Sequence, residues 1–78
     1  MAKMVEYFDR LPTQKRNALR AIAGGELDWH RTVPRLSSDE KAKFIQAAFG
    51  CGGRNLHIQR ERNHGTGYDI PIIVADEL

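Results

Sequence analysis

The sequence predicts an α+β domain, three short helices followed by a C-terminal antiparallel β-hairpin, on three observations. Apolar residues recur at helical spacing as far as Phe49, and the period changes to alternation from Arg54 onward. Between the two regimes Gly50, Gly52 and Gly53 interrupt the chain. The 78 residues have room for one domain and one modest core, with a helical part over 1–50 and the hairpin over 54–75.

Met4, Phe8 and Leu11 recur at helical spacing and Val5 widens the stripe, so a short helix is expected over Lys3 to Arg10, ended by Pro12. "TQKRNALRAIAGG" reads as the second helix, with Thr13 as N-cap and Ala18, Leu19, Ile22 and Ala23 facing inward. Gly24 and Gly25 close it, and Lys15, Arg16 and Arg20 are left as a basic ridge on its outer surface. "ELDWHRTVPRL" has no clean period, and Pro34 biases Val33 away from the helical region, so it is read as an irregular connection with Trp29 and Leu36 tucked inward. The third helix is the best marked. Ser37 and Glu40 fit a capping box, while Phe44 with Ala48 and Ile45 with Phe49 pair at i, i+4.

In the alternating region Leu56 and Ile58 share one strand face with Arg54, Arg60 and Arg62, and His57 lies on the other. The following strand presents Tyr68, Ile70, Ile72 and Val74, which predicts Leu56 and Ile58 near Ile72 and Val74 and Arg62 near Tyr68. "NHGTG" is the turn. Pro71 lacks a ladder donor, so its strand should be an edge at that point.

A net charge of +2 names no partner, but its distribution is uneven: the segment from Gly65 to Leu78 carries three acidic residues and no Lys or Arg. The folded protein is therefore expected to have a basic side. Cys51 is the only cysteine, which excludes an internal disulfide. "MAKMVEYFDR" lacks the apolar stretch of a secretory leader, and no run is long enough to span a bilayer, so a cytoplasmic setting is expected.

Catalysis finds little support. His57, His64, Arg60, Arg62 and Tyr68 are residue types that a metal-independent ribonuclease uses, but no nucleophile elbow, phosphate-binding loop or paired carboxylates accompany them. Cys51, His57 and His64 lack the short paired spacing of a zinc site, so neither metal nor cofactor is expected. Nucleic-acid binding asks less. Arg54, Arg60 and Arg62 offer planar forks for phosphate or guanine, and Tyr68 offers a stacking face, although the arginine stems equally suit a cover for the end of the core.

Three helices and a hairpin resemble a winged helix, but Pro34 falls in the segment that would supply the first helix of its helix-turn-helix. "FGCGGRNLHIQR" resembles, over about a dozen residues, the glycine-to-strand junction of phage Mor-type transcription activators. No helix-turn-helix follows it here, and the chain is not assigned to that family.

The resulting expectation is a non-enzymatic, nucleic-acid-associated regulatory module. Its contact residues are Lys15, Arg16, Arg20, Arg54, Arg60, Arg62 and Tyr68. The alternative is a protein-binding inhibitor or adaptor, of phage or mobile-element type, directed against a nucleic-acid-binding complex. A homodimer is compatible with both.

Overall fold

Residues Lys3–Tyr7 form a strand, β1, where the apolar spacing predicts a helix. A 3-10 turn over Phe8–Arg10 follows it. Phe8 and Leu11 are buried three residues apart because that turn repeats every three residues, which imitates a helical stripe. Val5 and Tyr7 favour the extended conformation, and pairing with a distant strand decides the outcome.

The computed structural model describes every residue except Met1, Asn63, His64 and Thr66, so the expectations for His64 and for most of the turn at 63–67 lie outside the described residues. The remaining elements are helix α1 (Thr13–Ile22), the one-turn helix α2 (Trp29–Thr32) with a 3-10 turn at Val33–Arg35, helix α3 (Ser38–Phe49), and strands β2 (Gly53–Arg62) and β3 (Asp69–Glu77). The protein is thus a compact α+β domain with three helices and a C-terminal antiparallel hairpin, to which β1 adds a third strand. No helix among the described residues is long and apolar enough to cross a membrane.

Local signals set the helix ends. Pro12, not Thr13, is the N-cap of α1; Thr13 is its first helical residue. At its other end the amide of Gly25 donates to the carbonyl of Arg20 at 2.7 Å, with Gly24 and Gly25 both at positive φ. The capping box of α3 forms as expected: the Glu40 amide donates to Ser37 Oγ at 3.2 Å and the Ser37 amide to Glu40 Oε1 at 3.0 Å. Those bonds to its ionised form hold the Glu40 carboxyl below its ordinary pKa. Gly50, at φ 72°, ends the helix.

The strand order is β1-β3-β2, antiparallel throughout. The central strand is therefore β3, and it is buried continuously from Ile72 to Ala75. Ile58 lies opposite Ile73, so the strand faces are offset by one residue from those the alternation predicts. Ile73 and Ala75 join Leu56 in the helix-side core, while Ile72 and Val74 face the other way. A strand apolar on both faces gives no sign of which face is which. Arg62 consequently pairs with Asp69, not Tyr68.

Pro71 fits this arrangement. The β1 ladder ends at Tyr7 opposite Ile72, so at Pro71 the strand is paired only with Arg60 of β2. It is an edge there, as expected, although β3 is central elsewhere.

The core lies between the helices and one sheet face. Trp29, 4% exposed, stands between Phe8 and Phe44, with ring centroids 5.0 and 5.5 Å away. The second contact is edge-to-face, a favourable aromatic geometry. The stack ties the 3-10 turn, α2 and α3 together. It gives the connection at 26–36 an anchor despite its lack of period.

Candidate functional site

The basic residues of α1 do not form an outer ridge. Lys15, Arg16 and Arg20 are half-buried beside Leu19 and Ala23, and Gln14, Asn17, Ala18 and Ala21 face solvent. Lys15 Nζ donates to the carbonyl of Ala48 in the last turn of α3, at 3.4 Å. Arg16 Nη2 donates to Thr13 Oγ1 at 3.4 Å, and the guanidinium carbon of Arg20 sits 5.6 Å from the centre of the Phe8 ring. The stems of these cations fill space against the core while exposed alanines occupy the outside, which inverts the hydrophobicity reading. The Nε atoms of Arg16 and Arg20 are buried and have no hydrogen-bond partner among the described residues.

A β-bulge divides the arginines of β2. Arg54 is opposite Asp76 and His57 opposite Val74, so one extra residue lies between them. Asn55 adopts φ 54° at this point, a conformation asparagine tolerates better than most residues. The bulge puts Arg54 out of phase with Leu56, Ile58, Arg60 and Arg62, so it does not share their face as the alternation predicts. Arg60 and Arg62 continue the helix-side face beyond the buried part of β2, and both are exposed. Neither makes an ion pair with another described residue. Tyr68 precedes β3 and is 76% exposed.

Opposite the helices, the sheet face is organised by contacts among its polar side chains. Asn55 Nδ2 donates to Asp76 Oδ2 at 2.7 Å. His57 Nδ1 lies 3.2 Å from the Asn55 carbonyl, and its Nε2 lies 3.0 Å from Gln59 Nε2. Those neighbours match a neutral ring protonated at Nδ1, donating to Asn55 and accepting from Gln59. His57 is therefore engaged at both nitrogens. Across the central strand, the carboxylate of Glu61 interacts with the phenol of Tyr7 and raises its pKa above the ordinary value. The guanidinium carbon of Arg10 lies 4.7 Å from the centre of the same ring.

The hairpin and the connection at 26–36 enclose what the sequence does not reveal. A groove of about 420 Å³ runs between Leu27–His30 and the hairpin residues Arg60, Asp69 and Pro71. A second, of about 220 Å³, lies between the Trp29–Pro34 segment and Leu56–Ile58. Trp29 and His30 line both, and His30 Nε2 is buried without a hydrogen-bond partner among the described residues. Leu27 is 70% exposed on the rim of the larger groove. An apolar residue beside a tryptophan and a histidine, in a segment without period, is the only sequence trace of this site.

The expected contact residues are thus partly brought together. Arg20 sits over Phe8 of the aromatic stack, and Arg60 lines the groove that Trp29 also lines. Arg62 follows on the hairpin, whereas Lys15 serves the α1–α3 contact. Among the described residues no group of three or more His, Cys, Asp or Glu is placed to hold a metal ion. No family model matches the chain, and comparison with curated proteins and with solved structures found no match.

Proposed function

We propose that the protein acts by binding, as a small nucleic-acid-associated regulatory module in the cytoplasm, through the helix-side face of its hairpin. One observation carries this reading: Arg60 and Arg62 extend past the core, exposed and without an ion pair to another described residue, beside a groove walled by Leu27, Trp29 and His30. Exposed arginines are suited to phosphate oxygens, and the groove offers an apolar wall to a base edge. Arg20 adds positive charge against Phe8, which packs on Trp29. A binding role also accords with His57, whose two nitrogens are both occupied.

The test is titration of wild type and an Arg60→Ala/Arg62→Ala variant against mixed-sequence DNA and RNA at two salt concentrations. Wild-type affinity is expected to fall with salt by about 0.9 log unit per log unit for each duplex phosphate neutralised, or about 0.7 for single strands. The double substitution should make that slope shallower while leaving the unfolding midpoint nearly unchanged. Absence of binding at low salt rejects the reading.

A protein-binding inhibitor or adaptor, of phage or mobile-element type, is the second reading. It is favoured by the sheet edge at β1, which has no strand beyond it among the described residues. Capture of a specific protein, together with no nucleic-acid binding, selects it.

A further inference from the structure

We propose that β1 is a self-association edge, through which two copies of the chain join into one continuous six-stranded sheet. This inference is independent of the nucleic-acid reading. It rests on the direction of the backbone groups of β1, the order of its side chains, and the contrast between the two edges of the sheet.

The amide of Glu77 donates to the carbonyl of Ala2 at 3.2 Å, so the backbone groups of residue 2 point toward β3. Hydrogen-bonded and non-hydrogen-bonded positions alternate along an antiparallel pair. Met4 and Glu6 therefore point toward β3 as well, in register with Ala75 and Ile73. Lys3, Val5 and Tyr7 turn their N–H and C=O groups outward.

An antiparallel partner of identical sequence can meet this edge in few registers, because residues directly opposite must share a sheet face. Centring the two-fold axis on Val5 places Val5 against Val5 and Lys3 against Tyr7 of the second copy. Every outward N–H and C=O of the three residues then finds a partner. Centring on Met4 carries Tyr7 past the described part of the partner strand, and centring on Glu6 sets Lys3 beyond β1 and two like charges face to face. The Val5 register also covers a side chain that is 48% exposed. Lys3 of one copy falls opposite Tyr7 of the other, so its stem covers the outward side of that residue.

The other edge of the sheet is unsuited to such pairing. Strand β2 carries the bulge at Asn55 and exposed charges from Arg60 to Arg62, devices that discourage strand addition. Strand β1 is regular over its five residues and contains no proline or bulge.

Val5→Pro is the discriminating variant. The missing N–H would be one that points away from β3, so the internal ladder keeps its hydrogen bonds while the axial pair is lost. Sedimentation velocity over a concentration series is expected to show a reversible wild-type dimer, with self-association at least ~10-fold weaker in Val5→Pro. Two cysteine variants in a Cys51→Ala background test the register whatever the fate of the proline variant. Val5→Cys should form an intermolecular disulfide rapidly, since directly opposed hydrogen-bonded residues have Cα atoms about 5.5 Å apart. Lys3→Cys should not, because its own copy lies four residues away along the strand, about 13–14 Å. A wild type that stays monomeric across the series overturns the proposal, as does equal cross-linking of the two cysteine variants. Unchanged self-association in a folded Val5→Pro does the same.

Discussion

Lys15 on α1 donates its ammonium to the backbone carbonyl of Ala48 in the last turn of α3, at 3.4 Å. The bond joins two helices end to side and places a positive charge where the dipole of α3 is negative. A residue that sequence reasoning reserves for a partner is thereby used within the fold.

Lys15→Met keeps most of the stem and removes the charge and the donor. It is expected to lower stability by about 0.5–1 kcal/mol, measured by urea unfolding. Nucleic-acid affinity at fixed salt should change much less than in the Arg60→Ala/Arg62→Ala variant. A larger loss of affinity from Lys15→Met would return this residue to the contact surface.

Phe44 is fully buried and meets Trp29 edge-to-face, whereas Phe49 at the end of α3 is only partly buried. Phe44→Ala should therefore cost about 3–5 kcal/mol. Phe49→Ala should cost less, about 1–2 kcal/mol, because part of its ring already contacts water. Equal losses in paired unfolding curves would contradict this ordering of the α3 face.

Tyr7 is held protonated to a higher pH than an ordinary tyrosine, through its interaction with Glu61. Because the folded pKa is the raised one, this contribution to stability is complete below the unfolded value near 10 and is lost as pH rises through the folded pKa. In a Tyr68→Phe background only one phenol remains to titrate, as the chain has two tyrosines. Ultraviolet titration should then show Glu61→Gln moving Tyr7 ionisation to lower pH, and Tyr7→Phe should flatten the alkaline limb of the stability curve. An unmoved titration would remove Glu61 as the cause.

The parts of this fold legible in the sequence are those fixed by nearest neighbours. The capping box of Ser37 and Glu40, the glycine stops of α1 and α3, and the switch to a hairpin after Gly53 all depend on short-range chemistry. Strand β1 is different: its five residues are extended because β3, some seventy residues later, supplies the ladder. Register was hidden for a related reason, since Ile72 to Ala75 are buried on both faces and carry no alternation. The arginines of the candidate site were legible as residue types but not as neighbours. The bulge at Asn55 takes Arg54 out of phase with the rest, and the burial of long stems turns Arg16 and Arg20 inward. The groove beside Arg60 depends on Trp29 packing onto Phe8, a contact between segments that share no local pattern.

The pairing of Lys3 with Asp76 sets the two ends of the ordered ladder side by side. Tension applied between those residues acts across the rungs of β1 and β3, so it loads the Lys3–Asp76 rung first and reaches Tyr7–Ile72 last. Each rung carries the force alone before passing it to the next. Mechanically, the domain is a zipper when pulled from this end, opening at low force even where its core would resist heat or denaturant.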